Sequence, residues 1–175
     1  MEESGSIYLF NLSIIAITFT AVSALVMLVR QTMGGKLSNF DVYLITSFVS
    51  FGFAQSLSAI LPSLISLFGP PHSVLWAGSS GCAAILLGST LFSIVRRRRR
   101  VSAIPIANSV FAAFCLQGLA VTVLAVNALI TAWQGVHLFA GAVTLSVAVI
   151  MWAFVRRIAS LLGDQPGEDW DPKQG

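Results

Sequence analysis

Apolar positions in this chain run in long unbroken stretches, and polar positions gather in short clusters between them. The stretches cover about 7–29, 40–67, 73–95, 106–133 and 136–155. At about 1.5 Å rise per residue, each spans roughly 30 Å or more as a helix, the thickness of a bilayer's hydrocarbon core. The breaks carry turn chemistry. Gly69, Pro70 and Pro71 interrupt the second and third stretches, Pro105 precedes the fourth, and Gln134-Gly135 separates the last two. Pro lacks an amide donor and Gly relaxes the backbone, so both mark helix ends. Pro62 lies inside the second stretch and is expected to kink it. The pattern predicts an all-α fold: a polytopic membrane protein made of a bundle of five transmembrane helices. One domain is expected over 1–162. Residues 163–175, rich in Asp, Glu, Pro and Gly, are expected to form a disordered acidic cytoplasmic tail.

Composition sharpens this picture. The chain has 175 residues, of which 56% are hydrophobic and only 10% charged. A soluble domain carries roughly 25% charged residues, so this surface is built for lipid rather than water. The amino end lacks a basic segment before its first apolar run, which predicts an uncleaved first helix. Cys82 and Cys115 fall within apolar stretches at different depths. They are expected to be small buried residues, not a disulfide.

Charge predicts direction. Arg30 and Lys36 follow the first stretch, Arg96 to Arg100 follow the third, and Arg156, Arg157 and Lys173 follow the fifth; these are all 10 basic residues. The other two connections carry none. The positive-inside rule then places the N-terminus outside and the C-terminus in the cytoplasm, in a membrane expected to be the bacterial inner (plasma) membrane. Aromatic residues near the stretch ends, Tyr8, Phe68, Trp76 and Trp133 on one side and Tyr43, Phe92, Trp152 and Phe154 on the other, are expected to form interfacial belts.

Small residues recur at helical spacing: Ala16, Thr20 and Ser23; Ser47, Ser50, Ala54 and Ser58; Ala77, Gly81, Ala84 and Gly88; Ala142 and Ser146. Such faces let membrane helices approach closely. They suit packing within the chain, a homo-oligomer, or contact with another membrane protein.

Candidate chemistry is sparse. No Asp, Glu, Lys or Arg lies within an apolar stretch away from its ends, so the charged groups that usually mark proton relays or ion routes are missing there. Zinc-helix, phosphate-loop and nucleophile-elbow motifs are likewise absent from the sequence. His72 and His137 belong to separate segments without ligand spacing. No metal, cofactor or catalytic residue is therefore assigned, and the chain is not expected to be an enzyme. Asn11, Gln55, Gln117, Asn127 and His137 form a candidate polar pocket if the helices bring them together. Arg96, Arg97, Arg98, Arg99 and Arg100 exceed what a topology anchor needs. They are expected to contact anionic lipid headgroups at the cytoplasmic face, each contributing on the order of 1 kcal/mol. Nucleic acid is not an expected partner, because no stacking platform accompanies the run. The leading expectation is a non-enzymatic structural, sensory or assembly component acting through helix contacts. The alternative is a small oligomeric transporter or channel for an uncharged or polar solute.

Overall fold

The computed structural model describes residues 3–32, 39–101, 108–130 and 135–163. Five helices account for nearly all of them: α1 (Glu3–Thr32), α2 (Asn39–Ser66), α3 (His72–Val101), α4 (Asn108–Leu129) and α5 (Val136–Gly163). Each contains a segment long and apolar enough to cross a membrane, from 20 residues in α4 to 27 in α3. The chain is thus an all-helical bundle with five spans, as the apolar stretches predict, and has the character of an integral membrane protein. Residues 131–134, which include Trp133, and the tail 164–175 lie outside the described residues.

Two helix ends differ from the apolar stretches for one physical reason. α3 was expected to stop at Val95, but it continues through all five arginines to Val101. α5 passes Arg156 and Arg157 and ends at Gly163. A bilayer boundary ends the run of apolar side chains, not the backbone hydrogen-bond ladder, and arginine is a good helix former. α4 is described over Asn108–Leu129, and residues 106, 107 and 131–133 of its stretch lie outside the described residues. Pro62 sits within α2, and the helix runs on to Ser66. There Gly69 takes φ +63°, the left-handed conformation that closes a helix and that glycine adopts without a Cβ clash. Its N–H donates to Ser66 O at 3.1 Å, and α3 follows at once.

Successive helices pack against one another, and α5 returns to touch α2 and α1 as well as α4. α2 and α5 therefore occupy the middle of the bundle, while much of α1, α3 and α4 faces outward. The core is built from fully buried Leu9, Leu87, Leu124, Phe139 and Val143. Near the end where the arginines lie, Phe154 of α5 meets Phe19 and Phe48 edge-on, with centroids 4.9 and 5.3 Å apart. At the opposite end Trp76 packs on Phe139 at 5.8 Å, and its indole N–H donates to His72 Nε2 at 3.0 Å.

These contacts divide the expected aromatic belts. Tyr8, Phe68, Phe92 and Trp152 are exposed, whereas Tyr43, Trp76 and Phe154 are core residues. Position along a span does not settle which way a ring points. The cysteines also differ from expectation: both thiols are free, but both are exposed on the outer surface rather than buried. A thiol is apolar enough to face hydrocarbon. The same surface shows Ile7, Phe10, Ile14, Ile17, Leu25 and Leu28 along α1, an arrangement that suits lipid and not water.

The small-residue faces are used at several interfaces. Ala16, Thr20 and Ser23 are buried, and Thr20 lies over Gly52 of α2 so closely that a Cβ there would collide with its hydroxyl and its own Cβ. Gly88 and Gly81 of α3 face Val121 and Ala128 of α4, with 3.4 and 3.8 Å available to an added Cβ. Ala142 and Ser146 are buried in the middle of the bundle.

Candidate functional site

Two polar regions stand out, one enclosed at the centre and one open at the arginine end. The central one is organised by Ser146. Its Oγ accepts from Gln55 Nε2 at 3.0 Å and from Gln117 Nε2 at 2.8 Å, so α2, α4 and α5 meet on one atom. A hydroxyl oxygen has two lone pairs, and both are used here. The two amides and the serine are no more than 2% exposed. Without water, an amide must find a partner inside the protein, and a short hydroxyl on the central helix is within reach of both. Gln117 Oε1 is buried without a partner. Turning that amide over would give Oε1 the serine proton and orphan the nitrogen instead, so one polar atom of Gln117 stays unmatched either way.

The other candidate pocket residues lie elsewhere. Asn127 is fully buried and donates to Ser80 Oγ at 2.7 Å, while its Oδ1 accepts the Gly135 N–H at 3.2 Å. It ties α4 to α3 and to the start of α5. Asn11 and His137 are exposed. The structure thus brings Gln55 and Gln117 together, holds Asn127 at a separate interface, and leaves Asn11 and His137 on the surface. A related link joins Ser13 of α1 to Ser56 of α2 at 2.8 Å. Ser58 and Ser79 hydroxyls are buried and unpartnered. Among the described residues, no three His, Cys, Asp or Glu side chains gather to hold a metal.

The open region is a cleft of about 270 Å³ between α2 and α3. From α2 it is lined by Thr46, Ser47 and Ser50; from α3, by Ser89, Thr90, Ser93, Ile94 and Arg97. Ser89, Ser93 and Arg97 follow at four-residue spacing and so share one helix face. Four of the hydroxyls donate to their own helix. Thr46 bonds Val42 O at 2.8 Å and Ser47 bonds Tyr43 O at 2.7 Å; Ser89 and Thr90 both bond Leu86 O, at 3.0 and 2.8 Å. Ser50 and Ser93 are exposed. This cleft was not anticipated from the sequence, where Ser47, Ser50, Ala54 and Ser58 read as one packing face. In the structure that face divides: Ala54 and Ser58 are buried, while Ser50 opens into the cleft. The available signal was the coincidence of hydroxyls at the arginine-proximal end of both helices.

The arginine run is helical, so its side chains do not form a flat patch. Successive residues turn by about 100° around the axis. Arg96 and Arg97 are exposed and Arg98 is half-buried; of these three, Arg97 lines the cleft. The side chains of Arg99 and Arg100 lie outside the described residues. No protein-family model, no curated protein and no solved structure matches this chain.

Proposed function

We propose that the chain is a non-enzymatic component of a cell membrane, a structural or assembly element that works through helix contacts. The observation that carries this reading is the Ser146 junction. The amides best suited to line a solute route, Gln55 and Gln117, are spent on joining α2, α4 and α5, and Asn127 is spent on α3 and the start of α5. Groups used as bolts are poor candidates for binding a passing solute, because each would have to break a buried interhelical bond. The chain is oriented with its N-terminus outside and its C-terminus in the cytoplasm, which follows from the distribution of its basic residues. The bacterial inner (plasma) membrane suits that charge pattern. Its partners are anionic headgroups on the cytoplasmic side and either a second copy or another membrane protein.

Two measurements on the full chain test this. In liposomes, stopped-flow swelling with glycerol, urea and small sugars is expected to match that of empty vesicles; solute-specific flux would overturn the reading in favour of a channel or transporter. In native membranes, cross-linking is expected to trap a defined assembly larger than one chain. A chain that remains monomeric under those conditions would reject the assembly role.

A further inference from the structure

We infer that the cleft between α2 and α3 is a binding site for a phosphate group, that of an anionic phospholipid in the leaflet at the arginine end. The inference rests on the chain's place in a membrane and holds whether or not the bundle acts as an assembly element.

Three observations converge on this site. First, the cleft gathers six Ser and Thr residues and Arg97 around a single apolar lining residue, Ile94. Ser and Thr at a membrane helix interface normally close the gap between helices; here they hold it open. Second, the donors are arranged by availability. Thr46, Ser47, Ser89 and Thr90 have their protons committed to backbone carbonyls. The Ser50 and Ser93 hydroxyls are exposed and form no hydrogen bond with another described residue, so their protons are available to a ligand. With the Arg97 guanidinium they form a set of donors suited to an anionic oxygen acceptor, and the planar fork of arginine matches two phosphate oxygens at once. Third, the site lies at the right depth. Arg97 is near the end of the 72–98 span, where the headgroup phosphate of a lipid resides. The hydroxyls continue inward from it, toward the level of a lipid's glycerol and ester groups, which are polar but uncharged. The committed hydroxyls retain lone pairs that suit the hydroxyl of a glycerol-type headgroup or an ordered water.

This site differs from diffuse attraction between a basic surface and an anionic leaflet. Diffuse attraction counts charges, and any arginine of the run contributes about equally. A built site singles out Arg97, because it lines the cleft while its neighbour Arg96 does not.

The test uses the full chain, purified in mild detergent and stripped of lipid, with native mass spectrometry to count bound phosphatidylglycerol during a titration. One saturable lipid per chain is expected, with phosphatidylcholine binding more weakly. R97Q is expected to weaken phosphatidylglycerol binding about tenfold, the loss of a charge-assisted hydrogen bond, while R96Q, which removes the same charge from the same run but does not line the cleft, weakens it clearly less. The S50A/S93A pair is expected to weaken binding several-fold, and both positions are exposed, so folding should not suffer. Inorganic phosphate and glycerol 3-phosphate at millimolar concentration identify the source. Failure to displace the lipid supports a headgroup, and displacement assigns the same cleft to a water-soluble phosphoester. Equal effects of R96Q and R97Q, no effect of S50A/S93A, or the absence of saturable binding would each overturn the site.

Discussion

Gln55 and Gln117 lie on helices that are not neighbours in sequence, yet both donate to a single oxygen, Ser146 Oγ, at 3.0 and 2.8 Å. That shared acceptor couples α2 to α4 through α5. It also makes Ser146 the residue whose loss orphans the most buried hydrogen-bonding capacity in the centre of the bundle.

Ser146→Ala removes one acceptor and strands two amide donors. A single interhelical polar contact in a membrane protein averages only about 0.6 kcal/mol. An orphaned buried donor costs more, about 1–3 kcal/mol in general. With two donors affected, S146A is expected to destabilise the bundle by about 1–3 kcal/mol, measured by unfolding in mixed micelles of dodecyl maltoside and SDS. The triple variant Q55L/Q117L/S146A should recover most of that loss, because it leaves no polar atom unpaired. If S146A were as stable as the parent, the junction would have no energetic role.

Gly52→Ala tests the tightest approach between α1 and α2. A Cβ at Gly52 would enter the space held by Thr20. Thr20 cannot turn away freely, since its Oγ1 donates to Ala16 O at 2.7 Å in a buried setting. G52A is expected to cost about 1–3 kcal/mol, the range for overpacking a core, offset in part by the roughly 0.5–1 kcal/mol that alanine's helix propensity contributes. T20A in the same chain should return part of it by removing the nearest atom. The same micelle assay reads both. A neutral or stabilising G52A would show that α1 is free to move away from α2.

Cys82 and Cys115 offer a test of the surface. Both are exposed in the bundle and both lie within the spans 72–98 and 110–129. In a bilayer that surface is hydrocarbon, which a water-soluble reagent does not enter. A water-soluble maleimide is therefore expected to label neither cysteine in liposomes, and to label 2 per chain after denaturation in SDS. Rapid labelling in intact liposomes would mean that water reaches those faces, and the membrane placement of α3 or α4 would be wrong.

Much of the architecture was legible in residue order, and the reason is that burial in lipid depends on contiguous side chains along one segment. A run of about 20 apolar residues satisfies its own backbone as a helix and needs no distant partner to be recognised. Five such runs led directly to five helices. Even so, the ends of α3 and α5 escaped this reading, because arginine ends a hydrophobic run without ending a helix.

The site was legible only in part. Gln55, Gln117 and Asn127 were recognisable as costly polar groups in an apolar setting, and all three are buried and bonded. Asn11 and His137 carry the same chemical signal yet face outward, since spacing does not report how far a helix is rotated about its axis.

Residue order by itself determined that the chain forms long apolar helices suited to a bilayer, because that property adds up residue by residue along one dimension. Tertiary structure alone decided that two glutamines share one serine, that half of a small-residue face on α2 packs while the other half opens into a cleft, and that Arg97 rather than its neighbour Arg96 lines it. Those outcomes depend on helix rotation and on the distance between axes, which are set by close packing at contacts such as Thr20 on Gly52 and Gly88 on Val121.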